Sequence, residues 1–449
     1  MIPGRSDEYK YLDNAYKRDG SQILILYGRQ GIGKSSLIKD FCKDKSFFYL
    51  MAENVSENTL LDMWKNSTGS LDNSYPAIFD SIFEKINGKA IICIDEFQNI
   101  LKNSNDFMEN VISLIHKNIE NKECLVILMS SDTDFIENDM VSRIGALAYE
   151  LSGFLKVREL KFLDMVRRFP NMSVPDCIEA YAVLGGVPGL WRYFSQNLSL
   201  RENICRTILK KGTVLYSQAE NEVKEQLREC EVYNTILYEL ANGHDKLNDI
   251  YKSTGYSRAK ISVYLKNLME IEMVVKLSSI DTPGRDNSRK GIYKICNHLV
   301  FFYYRFIFAH KAELLNLSPE NFYNKYIADG LNEYTSMFFS QICSEYIDLL
   351  GQSGGLPFVL ADKGSFYGKS GTIDIVGFDE NNQKSICGLS KYSESNLTYS
   401  DYEKLLISIR SAKIEPQLIF LFSSQKFDDE IVALSNDNKK VKLIDLSML

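Results

Sequence analysis

Residues 22–41, QILILYGRQGIGKSSLIKDF, join an apolar run to a glycine-rich turn and an amphipathic segment. The apolar run predicts a strand, and the segment from about Lys34 predicts a helix. Between them, Gly28-x-x-x-x-Gly33-Lys34-Ser35 has the spacing of a phosphate-binding loop, or P-loop. A strand, a P-loop and a helix in this order predict an α/β fold with a parallel sheet.

The residue types of this loop suit a nucleotide with a metal ion. Glycines admit backbone conformations in which successive N–H groups point at phosphate oxygens, and the helix N-terminus adds partial positive charge. Lys34 is expected to reach the β- and γ-phosphates, and the Ser35 hydroxyl to bind Mg2+. The expected ATP-contacting residues are Gly28, Gly31, Gly33, Lys34, Ser35 and Ser36. The alternative is a glycine-rich turn without a ligand, which the preceding strand disfavours.

A second apolar run, residues 90–94, ends in Asp95 and Glu96. A nearly continuous apolar run suits a strand that is buried on both faces of a parallel sheet. Asp95 is expected to hold magnesium through water, and Glu96 to polarise the attacking water. Two solvated acids at a strand end are the alternative.

A third apolar run, residues 124–132, ends in hydroxyl groups. Ser131 is expected to sense the γ-phosphate, unless it only begins a turn. The expected catalytic residues are Lys34, Glu96 and Ser131, and the expected metal ligands are Ser35 and Asp95.

Composition bounds the class of protein. A chain of 449 residues suits roughly two to four domains, and its hydrophobic share of 45% is ordinary for a globular protein. The net charge of −7 argues against a protein whose whole surface is basic, but it allows one local basic face. The nine cysteines include no C-x-x-C pair, which indicates a reducing compartment. With no signal-peptide pattern and no long apolar window, we expect a cytoplasmic protein without a membrane span.

Taken in order, these motifs resemble the archaeal-type ATPases, which lie near the signal-transducing NTPases with numerous domains among the AAA-like ATPases. Gly4-Arg5, with Glu8 close behind, resembles the family's opening element, which implies that Arg5 lies near the adenine. GGVP at 185–188 resembles an element of the family's helical lid, which implies that Pro188 packs close to the base. From spacing alone, this stretch predicts only a helix-breaking turn.

The chain departs from this family at one arginine. Members often carry Leu-Tyr-Gly-Arg after the fourth strand, and that arginine could act on a neighbour's nucleotide. The matching stretch here is LAYE at 147–150, with Glu150 in the arginine's place, and neither Arg143 nor Arg158 occupies that position. An arginine finger contributes about 10³–10⁵-fold in rate, so we expect slow turnover or another activator. Slow hydrolysis suits a switch better than a motor.

The middle of the chain changes to short amphipathic segments. Residues 231–243, 246–256 and 257–277 predict three helices, the last with Ser257 as N-cap and a strand at its end. A turn-rich stretch at 278–291 and the strand IYKI would complete a wing. The resemblance implies a winged helix-turn-helix in this region.

Basic residues gather on the predicted third helix and wing. The candidates for contact with DNA or RNA are Arg258, Lys260, Lys266 and Arg289. In DNA binding of this type, the third helix enters the major groove and the wing touches the backbone. The alternative is a winged helix that serves as a protein-interaction or spacer module.

The C-terminal region, residues 297–449, opens with aromatic-rich helices. Strands are predicted at 356–360, 371–379 and 384–392, followed by a long helix and a strand at 418–423. This order resembles the family's C-terminal domain, which implies a restriction-endonuclease-like α/β fold.

Such folds cut phosphodiesters with metal ions held by an aspartate and by a second acid two residues before a lysine. Asp374 and Lys391 match two of these positions, but Leu389 stands where the second acid is usual. Leucine supplies neither charge nor a ligand, so we expect a degenerate nuclease site. Compensation by Glu394 or Glu345 is the alternative.

Together these expectations describe an ATPase that binds ATP and Mg2+ and acts as a nucleotide-controlled switch or remodeller. Its partners would be DNA or RNA at the winged helix, and a protein partner or a second copy of the chain. The alternatives are an ATP-gated metal-dependent nuclease and an interaction scaffold that binds nucleotide with little turnover. The expected domains are a P-loop ATPase core at 1–155, a helical lid at 156–228, a winged helix at 229–296 and a degenerate nuclease-like domain at 297–449.

Overall fold

The computed structural model describes residues 2–85, 88–104, 106–117, 123–227, 229–282 and 291–449. The chain divides into two compact units. Unit 1 comprises Met1–Leu160 with Val187–Gly189, and unit 2 comprises Lys161–Gly186 with Leu190–Leu449.

Unit 1 is built on a parallel sheet. Its strands are β1 (Gln22–Tyr27), β2 (Phe47–Met51), β3 (Ala90–Asp95), β4 (Cys124–Ser130) and β5 (Gly153–Lys156). Its helices are α1 (Ser6–Lys17), α2 (Lys34–Phe41), α3 (Glu57–Thr68), α4 (Tyr75–Glu84), α5 (Gln98–Leu101), α6 (Asp106–Lys117) and α7 (Met140–Ile144). The strand order is β2-β3-β4-β1-β5, with every pairing parallel. This sheet confirms the predicted α/β fold.

Two of the three interior strands, β3 and β4, correspond to the second and third apolar runs of the sequence. β3 and β4 are buried along their whole length, because each lies between two other strands and both of its faces are covered. Ile92, Ile94 and Val126 share one buried cluster with Trp64 of α3 and Phe107 of α6. This core fixes the positions at which β3 and β4 end.

The carboxyl ends of the parallel strands meet at one edge of the sheet. Tyr27 of β1 pairs with Ser130 of β4 in the register. This edge therefore receives Gly28, Glu96 and Ser131, the residues that directly follow β1, β3 and β4.

Unit 2 opens with helices and a small antiparallel sheet. The helices between residues 161 and 226 are α8 (Phe162–Arg168), α9 (Val174–Leu184), α10 (Pro188–Trp191), α11 (Leu200–Ile204) and α12 (Val214–Gln226), and the first two residues of α10 belong to unit 1. Three helices and two antiparallel strands follow: α13 (Cys230–Ala241), α14 (Leu247–Thr254), α15 (Arg258–Glu270), β6 (Val274–Leu277) and β7 (Ile292–Ile295). Ser257 caps α15 as predicted, since its Oγ accepts from the N–H of Lys260 at 3.2 Å. The predicted wing tip, with Arg289, lies outside the described residues.

The C-terminal part of unit 2 holds a second, mixed sheet. Its strands are β8 (Asp362–Gly368), β9 (Gly371–Phe378), β10 (Ser385–Lys391), β11 (Leu418–Ser423) and β12 (Val441–Asp445). The helices of this part are α16 (His298–Phe302), α17 (Lys311–Asn316), α18 (Pro319–Tyr326), α19 (Leu331–Gln352), α20 (Tyr399–Ala412) and α21 (Asp429–Asp437). The strand order is β12-β11-β10-β9-β8, antiparallel from β8 to β10 and parallel from β10 to β12. In the part of the chain that the structure describes, no helix is both long and apolar enough to cross a membrane.

The strand predicted at 356–360 is wrong. The structure begins the corresponding strand, β8, only at Asp362. Pro357 has no N–H to donate to a sheet, and Val359 is 86% exposed. This apolar run therefore forms a connection between α19 and β8.

Candidate nucleotide-binding site

The P-loop between β1 and α2 requires glycine at three positions. Gly28, Gly31 and Gly33 have φ angles of 153°, 76° and 99°, in the region that favours glycine. At Gly28, a Cβ atom would lie 2.4 Å from the carbonyl oxygen of Val157. The shape of the loop is therefore set by backbone sterics.

Lys34 begins α2 and folds back across the P-loop. Its Nζ donates to the carbonyl oxygens of Gly28 at 2.6 Å and Arg29 at 3.2 Å, and the residue is only 6% exposed. Burial lowers the pKa of Lys34, while the nearby carboxylates of Glu96 and Asp95 act to raise it. The loop thus presents one ammonium group where phosphate oxygens can replace its own carbonyls as acceptors.

Ser35 and Asp95 join the P-loop to β3, an interior strand of the sheet. Ser35 Oγ donates to Asp95 Oδ2 at 2.9 Å, and the Tyr49 hydroxyl donates to the same oxygen. The other oxygen, Oδ1, accepts from the N–H of Glu96 at 3.0 Å. A hydroxyl and a carboxylate in direct contact form the hard oxygen donor set that Mg2+ prefers, so these residues fit the predicted metal.

Glu96 is held by three donors on one carboxylate oxygen. Its Oε2 accepts from the N–H of Ser131 at 3.0 Å, from the Ser131 hydroxyl at 2.7 Å and from Gln98 Nε2 at 2.7 Å. The φ of Glu96 is 55°, a left-handed conformation that non-glycine residues rarely adopt. Among the described residues, the Oε1 atom of Gln98 is buried without a hydrogen-bond partner. The candidate base and the candidate sensor are therefore in direct contact.

Arg5 braces the backbone of the P-loop. Its Nη2 donates to the carbonyl oxygen of Ile32 at 2.8 Å, and its Nη1 donates to that of Arg158 at 2.7 Å. Nη1 also pairs with Glu8 at 2.8 Å, and Arg5 is 2% exposed. The guanidinium is thus occupied by protein groups that hold the loop.

The predicted lid element meets the P-loop at residues 187–189, within unit 1. The N–H of Gly189 donates to the carbonyl oxygen of Gly31 at 3.0 Å. A Cβ atom on Gly33 would lie 3.5 Å from Cγ of Pro188, so the proline ring packs beside the loop.

The other predicted residues of unit 1 lie outside these contacts. Glu150, in the place of the family's arginine, pairs with His116 at 3.2 Å. Arg143 donates to a backbone carbonyl at 2.7 Å, and the Arg158 side chain is exposed. Ser36, the third residue of α2, is also exposed.

Three of the candidate nucleic-acid residues, Arg258, Lys260 and Lys266, are exposed on α15, and the exposed surface that carries them is called the α15 basic face. Arg258 and Lys260 are two residues apart, so they lie on different sides of this surface. The Arg258 guanidinium lies 4.0 Å from the ring centroid of Tyr251 and donates to Asn248 at 2.6 Å. This cation therefore lies over an aromatic ring instead of extending away from the helix.

Lys260 repeats this arrangement on the α15 basic face. Its Nζ lies 4.7 Å from the ring centroid of Tyr256 and 5.8 Å from that of Tyr264. Lys266 pairs with Glu270 at 3.3 Å and is largely exposed. The face combines positive charge with tyrosine rings.

The two candidate nuclease residues have different partners. Asp374 Oδ2 accepts from the N–H and the hydroxyl of Ser390, at 2.7 and 2.8 Å, and burial raises the pKa of Asp374. Lys391 Nζ donates to Asp401 Oδ2 at 2.7 Å. The described ranges contain no group of three or more His, Cys, Asp or Glu residues that could hold a metal ion.

The two acids considered as replacements lie elsewhere. Glu345 accepts from the N–H of Phe162, the first residue of α8, at 2.8 Å, and from the Tyr181 hydroxyl at 3.3 Å. Glu394 is exposed. Glu345 therefore accepts a hydrogen bond from the N-terminus of α8, and both belong to unit 2.

Sequence reasoning missed Tyr49 and the contact made by Gln98. Tyr49 lies in FFYLM, a stretch whose pattern indicates a strand and no further role. Only the parallel register of β2 and β3, which pairs Met51 with Asp95, brings the phenol to the acid. Gln98 stands two residues after Glu96, and this spacing is visible in the sequence.

The chain is similar to known proteins along most of its length. Residues 4–193 match a family described as an ATPase domain predominantly from Archaea, and residues 303–405 match a family of archaeal and bacterial proteins of unknown function. An uncharacterized protein of Methanocaldococcus jannaschii is 24% identical over 396 residues, which cover 86% of each chain. An uncharacterized ATP-binding protein of the same organism is 36% identical over 45 residues, 10% of this chain and 76% of that protein.

Among solved structures, a Walker-type ATPase of Pyrococcus abyssi is similar over 68% of this chain and 96% of its own. The identity is 16% and the TM-score is 0.49. The family matches agree with the resemblance seen in the sequence motifs. The chain belongs to the family of ATPases found predominantly in Archaea.

Proposed function

We propose that this chain is a slow ATPase that acts as a nucleotide-controlled switch or remodeller. The observation that carries the proposal is a set of contacts at one sheet edge: Ser35 with Asp95 at 2.9 Å and Ser131 with Glu96 at 2.7 Å, beside the buried Lys34. These are the groups needed to bind, neutralise and hydrolyse a terminal phosphate. The family match over residues 4–193 supports ATP as the ligand.

Each group has one role in this proposal. Lys34 and the N–H groups of the P-loop bind the β- and γ-phosphates. Ser35 and Asp95 would hold Mg2+, which neutralises phosphate charge when bound. Glu96 orients the attacking water and takes its proton, and Ser131 contacts the γ-phosphate.

The contact between Ser131 and Glu96 supports slow and controlled turnover. Glu96 Oε2 accepts three hydrogen bonds, so at least one of them has to break before this oxygen can take a proton from water. The single hydroxyl proton of Ser131 cannot point at Glu96 and at a phosphate oxygen together. In the proposal, contact of the Ser131 hydroxyl with the γ-phosphate therefore removes one of the three hydrogen bonds to Glu96, whose oxygen can then act on water.

The proposal includes a partner and a compartment. Glu150 stands where family members often carry an arginine, so we propose that a partner protein or a second copy of this chain supplies the activating group. None of the nine cysteines, all of which lie in the described ranges, forms a disulfide, which supports a reducing, cytoplasmic location.

Contact with DNA or RNA is a second candidate function, supported by the α15 basic face. Between residues 250 and 269 the chain carries four basic residues and no acid. Cations that cover tyrosine rings offer both a phosphate contact and a stacking surface, the pair of features that nucleic-acid binding uses. The order of three helices and two strands fits the predicted winged helix.

The contacts around Asp374 disfavour the nuclease alternative. Ser390 donates to Asp374, and Asp401 accepts from Lys391. Asp374 and Lys391 are thus each hydrogen-bonded to a different residue. We propose that this sheet is a degenerate nuclease-like domain kept for binding or packing. The scaffold alternative differs from the proposed function only in turnover.

Lys34→Ala is expected to weaken ATP binding by about 10- to 100-fold or more, because the ammonium is the main charge facing the phosphates. Isothermal calorimetry with ATP measures the change. The control is Lys43→Ala. Lys43 is an exposed lysine that follows α2 and pairs with Asp40. Equal affinity in Lys34→Ala and wild-type protein would show that the P-loop is not the nucleotide site.

Glu96→Gln is expected to keep ATP binding but to lower hydrolysis by about 10²-fold or more, the usual contribution of a positioned base. Steady-state phosphate release measures this loss. Glu123→Gln is the matched control, since Glu123 precedes β4 at the opposite edge of the sheet. Unchanged turnover in Glu96→Gln would contradict the role of Glu96, and no turnover in wild-type protein would favour the scaffold alternative.

Charge reversal on the α15 basic face tests the nucleic-acid candidate. Lys260→Glu with Lys266→Glu is expected to weaken binding of labelled DNA and to flatten its salt dependence by about one unit of slope per lost phosphate contact. Fluorescence anisotropy at several salt concentrations measures both. Lys210→Glu with Lys211→Glu makes the same charge change at exposed residues outside α15. Wild-type protein without salt-sensitive binding would favour the protein-interaction or spacer alternative.

The degenerate-site proposal predicts no metal-dependent DNA cleavage by wild-type protein with ATP and Mg2+ or Mn2+, measured on gels. Leu389→Glu is expected to create Mn2+ binding that calorimetry detects, because it adds a second carboxylate on the strand next to Asp374, one residue before Ser390. Ile407→Glu, at a 51% exposed position of α20, controls for the added charge. Wild-type cleavage that disappears in Asp374→Ala would support the nuclease alternative instead.

A further inference from the structure

Two hydroxyl groups converge on one oxygen of Asp95. Oδ2 accepts from Ser35 at 2.9 Å and from the phenol of Tyr49, while Oδ1 accepts from the N–H of Glu96 at 3.0 Å. Asp95 is only 3% exposed. These protein donors therefore set the orientation of its carboxylate.

The fold holds Tyr49 in place for this contact. β2 and β3 are parallel neighbours, and their register pairs Tyr49 with Cys93 and Met51 with Asp95. The Tyr49 ring is half-buried, and Nζ of Lys39 on α2 lies 5.1 Å from its centroid. The ring is thus fixed between a strand and a helix, with its hydroxyl at Asp95.

The two hydroxyls differ in what they can do. Ser35 belongs to the P-loop, and its oxygen is itself a proposed metal ligand. Tyr49 comes from a separate strand, and its phenol donates one proton to Oδ2, while Oδ1 keeps a lone pair beyond the one that accepts from Glu96. Groups that orient a metal-binding carboxylate in this way typically contribute about 10- to 100-fold in metal affinity.

We propose that Tyr49 is a positioning residue for the metal site of the proposed ATPase: its hydroxyl fixes the Asp95 carboxylate in the orientation that receives Mg2+ or a water bound to it. This inference rests on the proposed function. It adds a residue of β2 that acts through its hydrogen bond to Asp95.

Tyr49→Phe removes only the hydroxyl and tests the inference. In wild-type protein, Mg2+ should tighten the binding of a non-hydrolysable ATP analogue. In Tyr49→Phe we expect this gain from Mg2+ to be about tenfold smaller, with unchanged affinity in the absence of Mg2+. Isothermal calorimetry with and without Mg2+ measures both affinities without turnover.

Tyr75→Phe is the matched control. Tyr75 is a buried tyrosine of unit 1 whose hydroxyl donates to a carboxylate, Glu57, at 2.8 Å, outside the P-loop contacts. This variant should respond to Mg2+ as wild-type protein does, and thermal unfolding of both variants reports any general loss of stability.

Two outcomes separate the inference from the function on which it rests. Equal Mg2+ responses in Tyr49→Phe and wild-type protein would overturn the role of Tyr49 and leave the ATPase proposal standing. Wild-type protein that binds the analogue with no response to Mg2+ would overturn the metal site itself, and the inference with it.

Discussion

The hydrogen bond from Ser35 to Asp95 is the contact on which the candidate site depends, because it joins the P-loop to the strand that carries both acids. Each end of this bond is fixed by a separate constraint. The loop follows a path that only glycine can take at Gly28, where the carbonyl of Val157 excludes a side chain. Asp95 ends a strand that is buried along its whole length. The two chemical halves of the site therefore meet without freedom to drift apart.

The same edge carries local strain. Glu96 adopts a left-handed conformation, and the neighbouring Gln98 leaves a buried oxygen without a partner among the described residues. Features of this kind cost about 1–3 kcal/mol each and persist only where the surrounding structure holds the residue in place. Here the buried strand β3 and the two donors of Ser131 do so. The cost is consistent with a side chain held ready to change partners.

The candidate nuclease residues and Arg258 form hydrogen bonds with other residues of unit 2. Lys391 pairs with Asp401, Asp374 accepts from Ser390, and Arg258 donates to Asn248. A ligand at either place would have to compete with these contacts. The nuclease-like sheet and the α15 basic face are therefore binding surfaces in the proposal, whereas the edge of the parallel sheet is the place for chemistry.

The sequence by itself determined the parallel α/β fold and the order of the P-loop, Asp95 and Glu96. Buried parallel strands are nearly continuous apolar runs, and a phosphate loop needs glycines at set intervals, so both signals are local. The same holds for the Ser257 cap. The local signal failed at 356–360, where an apolar run containing Pro357 does not form a strand.

Only the tertiary structure decided the strand order, the Tyr49 contact with Asp95 and the use of Arg5 to brace the P-loop. Each of these joins residues far apart in the chain. Their meeting depends on strand register and on how far each side chain reaches. A pattern confined to a few neighbouring residues carries neither quantity, because the register of a strand is defined only against the partner strand with which it pairs.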